Sequence, residues 1–124
     1  MMGPPTFLGE NMDRRNRASI AFYSSVVNDL LDGMWKKALK GDGKNVRRYL
    51  KDVLIYMEKV PASAAPVTLE HMKLRAACSQ TLDLINACER ERRNPSEGEA
   101  ETHFAAIREA RIEWLHSLGS LLSS

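Results

Sequence analysis

Two cysteines, three histidines and one helix-spaced row of cations are the residues of this 124-residue chain whose types could carry chemistry. Cys78 and Cys88 lie ten positions apart, about 15 Å along a helix and too far for a disulfide within it. His71 and Cys78 share a helix face but stand two turns, roughly 10 Å, apart. No Cys-x-x-Cys or His-x-x-x-His spacing occurs, so no zinc, haem or di-iron centre and no cofactor is expected. Both cysteines read as small, reduced core residues. Gly41-Asp42-Gly43-Lys44 lacks the preceding strand and the spacing of a phosphate-binding loop, and reads as the end of one helix followed by the cap of the next.

The cations are more informative. Lys44, Arg47, Arg48 and Lys51 recur at i, i+3, i+4 and i+7, the spacing that gathers side chains on one helix face, opposite Val46, Leu50, Val53 and Met57. Such a row suits an acidic protein partner, a nucleic-acid backbone or an anionic surface, or it simply complements acids elsewhere in the fold. No aromatic residue interleaves it as a base-stacking platform requires, and Ile55 continues it in place of a further cation. Arg111 and His116, in Arg111-Ile112-Glu113-Trp114-Leu115-His116, have an Arg-x4-His spacing that resembles the motif of HEPN-family helical nucleases. That resemblance implies an all-helical fold and RNA cleavage by the pair. Read as residues alone, the two belong to a solvated helix face, and the chain is expected not to be an enzyme.

Four helices must position these groups. Residues 1–12, with Gly3, Pro4 and Pro5 among the first five, read as a flexible N-terminal arm. Residues 13–122 form the single domain. Ile20, Tyr23, Val27, Leu30, Met34 and Ala38 give the first helix, 13–40, its apolar stripe. Gly33 is awkward inside it, and one helix bent there is preferred to two short ones. Gly41 supplies a left-handed C-terminal cap, and Asp42 caps a second helix with Val46, Leu50, Val53, Met57 and Val60 inward. Pro61 ends that helix, and residues 61–66 form a short connection. Thr68 caps a third helix reaching about residue 93. Ser96 and Glu99 have the spacing of a capping box for a fourth, with Phe104, Ile107, Ala110, Trp114, Leu118 and Leu121 inward.

Nothing alternates with period two, so the fold expected is all-α, an antiparallel up-down four-helix bundle with a short second helix. At 1.5 Å per residue the second helix is about 26 Å long against roughly 40 Å for the others. One short wall leaves a strip on the first helix, where Ile20, Phe22 and Tyr23 sit, with Trp35 the best-placed aromatic anchor. The connection at 61–66 or Phe7 and Leu8 would cover it; uncovered, it is a partner groove.

The formal charge of +2 is the remainder of +4 through Val60 and −2 beyond it. That polarity favours association over catalysis. Ala38-Leu39-Lys40-Gly41-Asp42 leading into the amphipathic second helix, with Ile107-Arg108-Glu109-Ala110-Arg111-Ile112-Glu113-Trp114, resembles flagellin export chaperones, small helical bundles that wrap a helix of a secreted subunit. The resemblance implies a chaperone-like role. The leading expectation is therefore a non-catalytic adaptor or chaperone-like module, alone or as a homodimer, which binds a helical or extended segment of a protein partner through Ile20, Phe22, Tyr23 and Trp35. A nucleic-acid-associated protein using Lys44, Arg47, Arg48 and Lys51 is the alternative, and a ribonuclease the third. With no apolar window long enough to span a bilayer and no secretory signal at the start, a cytoplasmic location without membrane insertion is expected.

Overall fold

The computed structural model describes residues 3–60 and 69–123. They fold into four helices, α1 (Gly3–Leu39), α2 (Gly43–Lys59), α3 (Leu69–Arg90) and α4 (Glu97–Ser123), with no strand among the described residues. Helix α1 runs from Gly3, through the stretch 3–12 of the expected arm. Pro4 and Pro5 permit this because the first turn of a helix has no internal acceptor for its N–H groups, so a missing donor there breaks no bond.

Gly33 does not interrupt α1. A Cβ built at Gly33 would lie 2.7 Å from Cε1 and 2.8 Å from Cζ of Tyr49 on α2. The glycine that costs α1 some helical stability thus makes room for the Tyr49 ring against its backbone.

Two tight corners close the helical hairpins. At the first, Gly41 takes φ 71°, its N–H donates to the Ala38 carbonyl at 3.0 Å, and the Asp42 N–H donates to that of Lys37 at 3.0 Å. These are the paired bonds of a Schellman cap. Asp42 then caps α2, accepting from the Asn45 N–H at 3.3 Å and from the Asn45 side-chain amide at 2.6 Å. These bonds hold its carboxyl below the usual range. At the second corner the Arg93 N–H donates to the Cys88 carbonyl at 2.9 Å and the Arg92 N–H to that of Glu89 at 3.2 Å. Here the left-handed residue is Arg92, φ 55°. The Ser96 hydroxyl accepts from the Glu99 N–H at 3.1 Å while Glu99 accepts from the Ser96 N–H at 3.0 Å, the expected capping box. Arg93 also donates to Glu99 at 3.0 Å, and together with the Ser96 bonds this pulls the Glu99 carboxyl down to about 2.

Residue pairs between helices fix their directions. Tyr23 meets Tyr56 and Gly33 meets Tyr49 between α1 and α2. Arg47 pairs with Glu89 and Glu58 with Arg75 between α2 and α3. His71 meets Trp114 and Lys73 meets Glu113 between α3 and α4. Trp35 meets Phe104 and Asp32 meets Arg111 between α1 and α4. In each pairing one residue number rises as the other falls, so every neighbour is antiparallel and the order around the bundle is α1, α2, α3, α4. Helices α2 and α4 stand diagonally opposite and run parallel to each other. The core between them holds Val27, Leu31 and Met34, Leu50, Val53 and Met57, Leu74 and Cys78, and Ile107 and Trp114, each buried large side chain contributing about 1.5–3 kcal/mol. With 17 residues, α2 is the short wall beside 37, 22 and 27 in the others.

Candidate functional site

The four residues expected to form a groove on α1 are not brought together. Ile20 is in the core, 2% exposed. Tyr23 is half-buried on the side of α1 that faces α2, between the Phe22 ring at 5.3 Å and Tyr56 at 6.3 Å. Phe22 is 62% exposed. Trp35, twelve residues beyond Tyr23, is displaced by roughly 18 Å along α1 and 120° around it. It faces α4, edge-to-face with Phe104 at 5.7 Å and beneath the Arg108 guanidinium at 5.1 Å. The stripe on α1 is wide enough to serve two neighbours, and its aromatics are divided between them. The covers considered for that strip, the connection at 61–66 and the side chains of Phe7 and Leu8, lie outside the described residues, as do Thr68 and Pro61 at the ends of that connection.

A cleft of about 450 Å³ does lie between α1 and α4, lined by Leu31, Asp32, Trp35, Ile107, Arg108 and Arg111 among others. Its polar groups are engaged with one another. Arg111 donates to Asn28 Oδ1 at 2.6 and 3.0 Å, to the Asn28 carbonyl at 3.3 Å and to Asp32 at 2.7 Å. A planar guanidinium spread over three acceptors and only 20% exposed is a clasp between helices. His116 is exposed, and five helical steps turn it roughly 140° from Arg111. The two do not share a face of α4.

Both cysteines are buried and free. Burial pushes the Cys78 thiol up to about 12, which removes thiolate reactivity. His71 accepts the indole N–H of Trp114 on Nδ1 at 3.3 Å; burial, with the Arg75 charge adding to it, lowers its pKa despite a hydrogen bond to the backbone of Met57. Glu113 and His116 stand three residues apart, a spacing metal sites use, yet Glu113 faces Lys73. Among the described residues no three His, Cys, Asp or Glu stand close enough to hold a metal ion.

The row of cations on α2 has a different character. Arg47 leaves it, half-buried and paired with Glu89 on α3. Lys44, Arg48 and Lys51 remain exposed and make no ion pair among the described residues. Exposed Ile55 extends the row, 52% accessible. Of the other cations some are occupied, Arg75 by Glu58, Arg93 by Glu91 and Glu99, Arg111 by Asp32, Arg108 by the Trp35 ring and Lys59 by that of Tyr56, while Arg14, Arg17, Lys36, Lys40, Arg90 and Arg92 are exposed and make no ion pair among the described residues. Opposite, the outward side of α4 carries exposed Glu101 and Glu109 around Ile112, which is 63% exposed. The two exposed isoleucines were readable from the helical wheel, since each falls roughly opposite its own core stripe.

No protein-family model, curated protein or solved structure matches this chain. Among the described residues no helix is long and apolar enough to cross a membrane.

Proposed function

We propose that this chain is a non-catalytic protein-interaction module whose docking surface is the outward face of α2, and that it takes an acidic helical or extended segment of a protein partner. The carrying observation is the gathering of three unpaired cations on one helix face. Lys44, Arg48 and Lys51 stand exposed without an acid partner among the described residues, about one turn apart along α2 and in line with exposed Ile55, whereas Arg47 of the same row is paired with Glu89. Cations held this way attract an acidic surface over about one Debye length, roughly 8–10 Å at ordinary salt. Ile55 beside them adds an apolar contact that a phosphate backbone would not use. No exposed aromatic stands among the three cations to stack a base. The reading moves the docking surface from α1, where Trp35 and Tyr23 serve neighbouring helices, to α2.

Fluorescence anisotropy separates the readings. A labelled Glu-rich peptide containing one leucine and a labelled single-stranded oligonucleotide are titrated with wild type and with the Lys44→Glu/Arg48→Glu/Lys51→Glu variant, checked for unchanged helicity. Peptide binding that weakens about tenfold or more in the variant supports the proposal, three rim pairs being worth that much together. Loss of oligonucleotide binding alone would favour the nucleic-acid alternative, and indifference of both ligands to the three charges would remove the surface altogether.

A further inference from the structure

We infer that a second copy of this chain is one partner of the α2 face, docking through the outward face of its own α4, and that the contact propagates head to tail instead of closing a two-fold dimer. The inference rests on the docking role of α2 proposed above and names an occupant for it. Its first support is complementarity. The α2 face presents Lys44, Arg48 and Lys51 and ends at exposed Ile55; the α4 face presents Glu101 and Glu109 and ends at exposed Ile112, with exposed Arg108 at its edge drawn over the Trp35 ring toward α1. Neither set of charges is ion-paired among the described residues.

The spacings agree. Lys44 precedes Ile55 by eleven residues and Glu101 precedes Ile112 by eleven. Lys51 stands one turn before its isoleucine and Glu109 one turn before its own. Two parallel helices with the isoleucines in contact therefore set Lys44 against Glu101 and Lys51 near Glu109. Within one molecule α2 and α4 are already parallel, so a second copy need only be translated sideways, with a slide along the axis, to make that pairing.

Diagonal placement decides the symmetry. Since α2 and α4 occupy opposite corners of the bundle, their outward faces point in opposite directions. A copy bound to α2 through its α4 leaves its own α2 free on the far side. A contact between two different patches related by translation does not close, whereas a two-fold dimer would need one patch to be complementary to itself. An all-basic row against its own copy is repulsive.

Sedimentation equilibrium tests this. At about 50 mM salt the wild-type mass should climb with concentration from the 14.0 kDa monomer through and beyond the dimer, and the association constant should fall at least about tenfold by 500 mM salt. Lys44→Gln/Arg48→Gln/Lys51→Gln should be monomeric alone, and so should Glu101→Gln/Glu109→Gln. An equimolar mixture of the two should form a dimer and nothing larger, because each retains only one of the two faces. A wild type that stays monomeric at low salt, or stops at a dimer, overturns the inference. So does a mixture that fails to associate. The function proposed above is scored separately by the Glu-rich peptide, which can bind α2 whether or not copies of the chain bind each other.

Discussion

The two helical hairpins of this bundle are closed by the same pair of devices and filled by opposite means. Each corner combines a Schellman turn with an N-terminal cap, Gly41 and Asp42 in the first, Arg92 and Ser96 in the second. Between α1 and α2 the fill is the absence of a side chain, with the Tyr49 ring lying where a Gly33 Cβ would be. Between α3 and α4 it is a polar contact inside the apolar seam, the Trp114 indole donating to His71. A seam built on a missing methyl is intolerant of added volume. A seam built on a hydrogen bond depends on a protonation state.

The sharpest way to break the comparison is to add that volume. Gly33→Val should destabilise the fold by about 2 kcal/mol, overpacking against Tyr49 exceeding the few tenths that valine gains over glycine in helix propensity. Urea midpoints with an unchanged slope measure it. In a Tyr49→Ala background the same substitution should cost nothing or stabilise, since the ring atoms it would strike are gone. An equal penalty in both backgrounds would show that the α1 backbone, and not the ring contact, sets the need for glycine.

The four helices, their antiparallel order, the Gly41 cap, the Asp42 cap and the Ser96–Glu99 box were all legible in the sequence, because each depends on residues within one or two turns of one another. What the sequence did not yield depends on which face meets which neighbour. Trp35 was recognisable as a residue on the edge of its stripe, but only the position of α4 shows that Phe104 and Arg108 enclose it. Gly33 read as an unfavourable helix residue because its justification sits on another helix. The row at Lys44, Arg47, Arg48 and Lys51 was visible as four cations. Its division into three unpaired charges and one bound to Glu89 follows from where α3 packs. At the start of α1, consecutive prolines signal irregular chain unless they fall in the first turn of a helix, where Pro4 and Pro5 stand.

The corners make a gentler test. Arg92 holds the left-handed conformation at φ 55° that Gly41 holds at 71° without a Cβ. Such a residue costs about 1–2 kcal/mol when it is neither glycine nor asparagine, part of which the flexibility of unfolded glycine takes back. Arg92→Gly should therefore stabilise the protein by about 1 kcal/mol, and Gly41→Ala should destabilise it by a similar amount. Thermal melts of both variants check the symmetry of the two turns. If Arg92→Gly is neutral or worse, the arginine side chain compensates for its backbone and the corners differ in more than residue type.

The smallest effect lies at the polar seam, and its sign follows from the hydrogen bond. Trp114 can donate to His71 Nδ1 only while that nitrogen keeps its lone pair, so the folded protein holds His71 neutral, and burial with the nearby Arg75 charge lowers its pKa below the 6.5 of an unfolded histidine. The unfolded chain then binds a proton that the folded chain resists. This contribution to stability is complete above pH 6.5 and is lost progressively as the pH falls from there toward the lowered folded value. Urea midpoints at pH 7.5 and 5.5 should differ in wild type, and the difference should shrink in His71→Gln, which keeps an acceptor for the indole but does not titrate. Glu99 does not confuse the comparison, because its carboxyl, drawn down to about 2, contributes in a window below that of the histidine. A pH response of the same size in the variant would place its origin elsewhere in the bundle, and the α3–α4 seam would then be as indifferent to protons as the glycine seam beside it.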